Sequence, residues 1–165
     1  MKAVGLSRRM FLPALALLPS GLANAAAPQK GEPVIWPPIS LLDGTRIVSE
    51  QMRGRPVVVV FWALDCGFCE RHNVHVEKLH RASAGSSLLV LGAVTELNAN
   101  AVHAHMTSRR WSFPVTLDGL ALANALGARR SVPFTATVTR EGRLADLIPG
   151  EMFEDDVLSL QKLAR

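Results

Sequence analysis

The two cysteines of the chain, Cys66 and Cys69, are separated by two residues. A cysteine thiolate attacks a disulfide, and a second thiol one helical turn away resolves the mixed disulfide that forms. Where such a pair opens a helix, the unpaired N–H groups and the positive end of the helix dipole lower the pKa of the first thiol below its usual value of about 8.5. The spacing therefore predicts thiol–disulfide exchange, with Cys66 as the nucleophile and Cys69 as the resolving thiol.

The sequence gives less support to other roles for the cysteine pair. A structural disulfide across so small a loop constrains little of the unfolded chain. Metal sites usually have four ligands, although two thiolates with His72 or a later histidine suit Cu(I), so copper handling stays an alternative. Covalent haem attachment requires a histidine directly after the second cysteine, where this chain has Glu70. No metal or organic cofactor is implied for thiol–disulfide exchange, because its electrons reside in the cysteine pair.

A buried strand and a helix position the motif. Residues 57–62 form a continuous, mostly β-branched run, which is typical of a parallel strand covered on both faces. Residues 70–83 fit a helix, and residues 88–94 form a second buried strand. The strand, helix and strand make a right-handed crossover, so the cysteines are expected between the end of the first strand and the start of the helix.

The rest of the chain predicts further short elements. Asp43-Gly44 between two apolar runs, 39–42 and 45–48, predicts a hairpin. The remaining predicted elements are a helix over 98–110, a strand over 113–117, a helix over 120–126 closed by Gly127, antiparallel strands over 134–139 and 143–148, and a last helix over 151–163.

Residues 1–25 have the order of an export signal: the cations Lys2, Arg8 and Arg9, the apolar run 10–22, and the small-residue pattern Ala23-Asn24-Ala25. The Arg8-Arg9 pair resembles the twin-arginine type of signal. The apolar run contains two prolines and is shorter than the about 20 residues of a spanning helix. We expect a cleaved signal, a periplasmic product, a short tether over 26–36 and one domain over 37–165; an uncleaved inner-membrane anchor is the alternative.

The charge does not predict a nucleic-acid partner. The formal net charge is +4, but removal of the signal leaves 15 cationic and 14 acidic residues, a net charge of +1. The Arg109-Arg110 and Arg129-Arg130 pairs are then expected on the solvated surface. The chain has no Gly-rich phosphate loop, and its composition, with 48% hydrophobic and 19% charged residues, excludes disorder.

Several motifs in matching order resemble the TlpA/ResA-type exported thiol–disulfide oxidoreductases. They are Phe61-Trp62-Ala63 before Cys66, the leading hairpin, the segment 113–118, and Val132-Pro133-Phe134-Thr135 followed by Glu141-Gly142. The resemblance covers nearly all of residues 36–163. It implies an α/β, thioredoxin-like fold, in which helices flank a central mixed sheet and a β-hairpin precedes it.

The resemblance also implies how a substrate binds. Pro133 would follow a cis peptide bond beside the cysteines, Val132 would offer its backbone to a substrate strand, and Trp62 and Pro133 would shape the substrate surface. Protein disulfides would be the substrates and reduction the direction. A membrane thiol-relay protein would recharge the pair, and cytochrome c maturation is one pathway that fits.

Four positions depart from the family pattern. Val60 stands where thioredoxin has a buried Asp, Asp65 where many relatives have an apolar residue, Phe68 where Pro is common, and His72 where ResA-type members have a functional Glu. The Gly67-Phe68 dipeptide is closer to that of bacterial disulfide isomerases. An oxidant or isomerase is therefore an alternative within the enzymes, and a copper-handling module of the same fold is the alternative outside them.

Two of these positions carry hypotheses. His72 shares a helix face with Cys69 and titrates near neutral pH, so that it could shuttle the proton of the buried thiol. The other interpretation is a surface histidine, as we also expect for His103 and His105. Asp65 would disfavour the Cys66 thiolate by charge repulsion, but we favour a solvated helix cap for this residue.

Overall fold

The computed structural model describes residues 27–129 and 131–164. The predicted export signal lies outside the described residues. No helix in the described ranges is long and apolar enough to cross a membrane.

Strands and helices occur in the predicted order. The elements are β1 (Ile39–Ser40), β2 (Arg46–Ile47), β3 (Val57–Trp62), α1 (Gly67–Ala82), β4 (Leu89–Val94), α2 (Ala99–Arg109), β5 (Val115–Thr116), α3 (Gly119–Leu126), β6 (Phe134–Val138), β7 (Leu144–Pro149) and α4 (Glu154–Ser159), with 3-10 turns at Ser49–Met52 and Leu160–Ala164. The Asp43-Gly44 hairpin is confirmed, with Gly44 at φ 85° in its turn. Gly127 ends α3 in the left-handed conformation, as its type predicts.

The last helix begins later than the sequence predicts. Residues 151–153 are outside the helix, and α4 starts at Glu154 and then tightens into the 3-10 turn over Leu160–Ala164. The reason is a tertiary bond, since the backbone N–H of Met152 donates to a side chain of α1. Local helix propensity cannot foresee that competing acceptor.

The five main strands form one mixed sheet in the order β5-β4-β3-β6-β7. Strand β3 is parallel to β4 and antiparallel to β6, which confirms the crossover and the mixed sheet. Alternate residues of β3 point to opposite faces. Val58, Val60 and Trp62 join a core beneath α1, α2 and α4, whereas Val57, Val59 and Phe61 join a core beneath α3. The motif thus follows a strand that is buried on both faces.

The segment predicted as a tether packs onto the domain. The backbone N–H of Gly31 donates to the carbonyl of Leu144, and that of Val34 donates to the carbonyl of Gly142, at 2.8 and 2.9 Å. These bonds lie at the exposed edge of β7 and give the strand a partner. The prediction of a tether over 26–36 is therefore wrong for residues 31–34, which are part of the folded unit.

Helix α3 approaches β4 closely at its first residue, Gly119. A Cβ atom at this position would overlap the backbone carbonyl of Val94, and that backbone sits in the sheet and cannot move aside. The other helix that begins with glycine, α1, has open space around the corresponding position, Gly67. Only glycine therefore lets α3 close over this end of the sheet.

We expect Gly119→Ala to lower the free energy of unfolding by about 1–3 kcal/mol, because the added methyl group overpacks a rigid contact. Gly67→Ala is the matched control and should change stability by less than about 1 kcal/mol. Urea denaturation of the oxidised proteins measures both values. Equal stabilities of the two variants would contradict the close approach.

Candidate active site

The disulfide between Cys66 and Cys69 lies at the start of α1, just after the segment that connects this helix to β3. Cys66 is the N-cap residue of α1, and its Sγ accepts the backbone N–H of Cys69 at 3.1 Å. Cys66 is partly exposed, whereas Cys69 is 1% exposed. The first sulfur is accessible to a substrate and the second lies below it, as expected for a nucleophile and a resolving thiol.

Asp65 is not the cap of this helix. The sulfur of Cys66 takes the N–H group that a capping carboxylate would have accepted, and Asp65 is an exposed residue one position earlier. The helix-cap interpretation of Asp65 is therefore wrong. Sequence rules favour Asp at a cap because its oxygen reaches the helix N–H groups, but here a thiol side chain occupies that role.

The peptide bond between Val132 and Pro133 is cis, which confirms the expectation drawn from the resemblance. The carbonyl oxygen of Val132 is 4.0 Å from Cys66 Sγ. Pro133 is buried and its carbonyl accepts the N–H of Gly150 at 2.9 Å, whereas Val132 is exposed. The backbone of Val132 therefore lies at the surface directly beside the accessible sulfur.

Trp62, which the sequence places at the substrate surface, is almost fully buried and lines the cleft beside the site only with what remains exposed. Its residue is 2% exposed, and its ring lies 5.9 Å from that of Trp111 and 5.6 Å from that of His105. The alternation of side chains along the strand explains this burial, because Trp62 points into the same core as Val58 and Val60. Trp62 thus supports the site from inside.

His105 is also placed differently from the expected surface position. Its ring is packed between Trp62 and Trp111, and its Nε2 lies 2.7 Å from a carboxylate oxygen of Glu70. Arg109 donates two further bonds to that carboxylate, the shorter at 2.6 Å. The Arg109 bond, together with the charge of His105, lowers the pKa of Glu70. The residue after Cys69 is therefore an ionised carboxylate whose charge is balanced by α2.

An exposed aromatic ring stands between the two cysteines. Phe68 is 62% exposed, and the guanidinium of Arg71 lies 4.9 Å from its ring centroid. Arg71 is held in turn by two bonds to Glu151, at 2.8 and 2.7 Å. The cation over one face and the ion pair behind it keep the ring in place beside the disulfide.

A cleft of about 610 Å³ is lined by Val132, whose carbonyl oxygen lies 4.0 Å from Cys66 Sγ, and by Trp62 and Ala63. Its walls include Leu97, Leu117 and Leu120. Leu97 and Leu120 are among the large apolar side chains exposed to solvent in the described ranges. An apolar surface of this kind next to a reactive sulfur suits a polypeptide segment with apolar side chains.

His72 is buried in the interior and is not a surface histidine. Its Nδ1 accepts the backbone N–H of Met152 at 3.1 Å, and its Nε2 lies 3.2 Å from Thr135 Oγ1. Burial, together with the nearby His75, lowers its pKa from 6.5 to about 4. The ring is therefore neutral at neutral pH; since Nδ1 is an acceptor, Nε2 carries the hydrogen and donates it to Thr135.

Two buried polar residues of α1 were missed by the sequence analysis. Glu77 accepts the backbone N–H groups of Ser112 and Phe113, at 2.7 and 3.2 Å, and the side chain of Arg81. Burial raises the pKa of Glu77, but these bonds outweigh it and the net shift is downward. Asn73 is 0% exposed. Both residues lie on the apolar stripe of the helix that also carries Cys69 and Val76. This position was the sequence signal that could have predicted their burial.

The copper hypothesis lacks a third ligand in this geometry. Within residues 27–129 and 131–164, no group of three or more His, Cys, Asp or Glu side chains is close enough together to hold a metal ion. His72, one of the histidines that the hypothesis offers as a ligand, has both ring nitrogens within hydrogen-bonding distance of protein groups.

Known proteins share this architecture. A family model described as Redoxin matches residues 29–162. The thiol-disulfide oxidoreductase ResA of Halalkalibacterium halodurans is 27% identical over 150 residues, which cover 87% of this chain and 81% of the relative. These matches confirm the resemblance that the motifs predict.

Two solved structures support the fold. A thioredoxin-family thiol:disulfide interchange protein from Chlorobium tepidum TLS has a TM-score of 0.71 at 19% identity, over 85% of this chain and 99% of its own. StoA from Bacillus subtilis has a TM-score of 0.65 at 17% identity, over 81% of this chain and 100% of its own. The thioredoxin-like fold is therefore confirmed.

The buried His72 should make stability depend on pH. Because its pKa falls from 6.5 to about 4 on folding, the unfolded chain takes up the proton first as the pH falls. The contribution of His72 is complete above about pH 6.5 and is lost toward pH 4, by about 3 kcal/mol in total. In His72→Gln this part of the pH dependence should disappear.

Urea denaturation from about pH 7 to about pH 5 measures most of the effect, in a range above the titration of most carboxylates. His103→Gln, at an exposed histidine, is the matched control and should keep the parental slope. A parental slope in His72→Gln would show that His72 is not the group responsible.

Proposed function

We propose, on the premise that the chain belongs to the Redoxin family and is a thiol–disulfide oxidoreductase, that it works in the periplasm as a reductase of disulfides in other proteins. The observation that carries the proposal is the asymmetry of the pair at the start of α1. Cys66 is accessible and lies at the helix N-terminus beside the backbone of Val132, whereas Cys69 is buried.

The reaction proceeds in two exchanges. The Cys66 thiolate attacks one sulfur of the substrate disulfide, a Cys66–substrate bond forms, and the other substrate sulfur leaves as a thiolate that takes up a proton. Cys69 then loses its proton and attacks Cys66 Sγ. The Cys66–Cys69 bond forms and the second substrate sulfur leaves, so that two electrons have passed from the dithiol to the substrate.

The surroundings of Cys66 support a polypeptide substrate. The carbonyl of Val132 is positioned to accept a hydrogen bond from an extended chain whose cysteine lies over Cys66. Phe68 and the apolar cleft then lie next to this chain. We therefore assign Val132 and Pro133 to substrate binding through their backbone, and Phe68 as a contact that the sequence analysis had treated only as a departure.

We propose that His72 positions the site and does not shuttle protons. Its neutral ring joins α1 to Thr135, two residues after Pro133, and to Met152 in the segment before α4. A proton shuttle would have to give up one of these bonds, and its low pKa disfavours the protonated form. The bonds instead hold the cysteine helix and the cis-proline strand in a constant relation.

The periplasmic location rests on the predicted export signal in residues 1–25. In that oxidising compartment a reductase has to be recharged, and we propose a membrane thiol-relay protein as the electron donor. If the signal stays uncleaved, it anchors the domain near such a donor.

Replacing the resolving thiol should trap the substrate. In Cys69→Ser the first exchange proceeds and the second cannot, so disulfide-linked complexes with other proteins should accumulate. Cys66→Ser is the matched control, because it lacks the accessible nucleophile and should trap none. Non-reducing electrophoresis with mass spectrometry of the linked proteins reads out the result. Equal trapping by both variants would contradict the assigned roles.

The direction of the reaction follows from the midpoint potential. We expect a value near or below about −250 mV for the Cys66–Cys69 pair, as for a reductant with a dedicated donor. Equilibration in thiol buffers, followed by alkylation and mass spectrometry, measures it. A value near about −120 mV would instead mark an oxidant or isomerase. The Gly67-Phe68 dipeptide would then be a better guide to the direction of the reaction than the family resemblance.

A further inference from the structure

Asn73 is an anomaly in the core of the domain. Its side chain is 0% exposed, and neither its Nδ2 nor its Oδ1 has a hydrogen-bond partner among the residues that the structure describes. A buried polar group left unpaired costs about 1–3 kcal/mol. Because native interiors rarely keep such a cost without a reason, the amide is expected to have a partner in another state of the molecule.

The position of Asn73 indicates that partner. Asn73 follows Cys69 by four residues in α1, and side chains at this spacing are neighbours on one helix face, with Cβ atoms about 5–6 Å apart. Both residues are buried, since Cys69 is 1% exposed. The other buried polar residues of this face, His72 and Glu77, are fully engaged with groups outside the helix.

Cys69 changes its hydrogen-bonding capacity with its redox state. In the oxidised form its sulfur is bonded to Cys66 and carries no hydrogen. Reduction adds two electrons and two protons to the pair, so that Cys69 gains an S–H donor. When Cys69 gives up this proton to attack Cys66, its sulfur is an anion that needs a donor in an apolar interior.

We propose that Asn73 is the hydrogen-bond partner of the reduced Cys69 sulfur. Its Oδ1 accepts a hydrogen bond from the S–H group of the thiol, and its Nδ2–H donates a hydrogen bond to the thiolate that forms before the resolving step. The proton that leaves Cys69 is taken up by the departing substrate sulfur, so no further reactant is needed. The amide is thus unpaired in the oxidised form and satisfied in the reduced form, and it stabilises the reduced form selectively.

The inference deepens the proposed function, because it concerns the same cysteine pair, but it holds whichever way the pair passes electrons. Asn73→Leu replaces the amide with an apolar group of similar size. We expect the equilibrium between dithiol and disulfide to shift about tenfold toward the disulfide, which is a midpoint potential about 30 mV more negative. The oxidised form should keep or gain stability toward urea, and the reduced form should lose it.

Ser83→Ala is the matched control. Ser83 caps the other end of α1, and its buried hydroxyl also has no partner within the described ranges, but it lies 14 residues from Cys69, about 20 Å along the helix. Its removal should leave the midpoint potential unchanged. If Asn73→Leu fails to fold, Asn73→Ala tests the same shift with a smaller side chain.

An unchanged potential in the Asn73 variant, with both redox forms altered equally in stability, would overturn the inference and would mean that Asn73 has a structural partner such as a buried water. That result leaves the proposed function intact if Cys69→Ser still traps substrates. Conversely, a potential near about −120 mV in the parent protein overturns the reductase direction without touching the role of Asn73.

Discussion

The first turn of a helix has N–H groups that need acceptors, and at the start of α1 the sulfur of Cys66 supplies one of them. This single bond places the nucleophile at the positive end of the helix dipole and sets Cys69 one turn below it. The bond depends on β3, which is buried on both faces and whose carboxyl end leads directly into the segment that carries Cys66. Much of the surrounding structure keeps this junction in place.

Three contacts tie the elements around the junction together. His72 joins α1 to β6 and to Met152, the carbonyl of Pro133 accepts the N–H of Gly150, and Arg71 pairs with Glu151. The two hydrogen bonds of His72 are made in the interior, where losing a partner is costly. These contacts therefore hold the cis-proline strand and the cysteine helix together beside the disulfide.

On the other side of α1, the charge of Glu70 next to the resolving thiol would oppose a thiolate if it stood alone. Arg109 from α2 balances this charge with two hydrogen bonds, and His105, which also contacts Glu70, is held between Trp62 and Trp111. The two tryptophans therefore contribute to the site by packing against His105 of α2, the helix that also carries Arg109. The aromatic core on this side of α1 therefore packs against the same helix that balances the charge beside the cysteine pair.

The sequence by itself determined the chemistry and most of the architecture. Cys66 and Cys69, the β-branched run of β3, the hairpin at Asp43-Gly44 and the glycine that ends α3 act through local rules of spacing and backbone conformation, and such rules can be read along the chain. Their order sufficed for the thioredoxin-like fold and for the cis bond before Pro133, through the family resemblance.

Only the tertiary structure decided which side chains are exposed and what they contact. The burial of Trp62, His72 and His105 was not predicted because a helix or strand pattern gives the face of a residue but not the element packed against it. The late start of α4 and the docking of residues 31–34 on β7 likewise depend on acceptors far away in sequence. Asn73 is the strongest case, since burial and the lack of a partner among the described residues are properties of the packed interior alone.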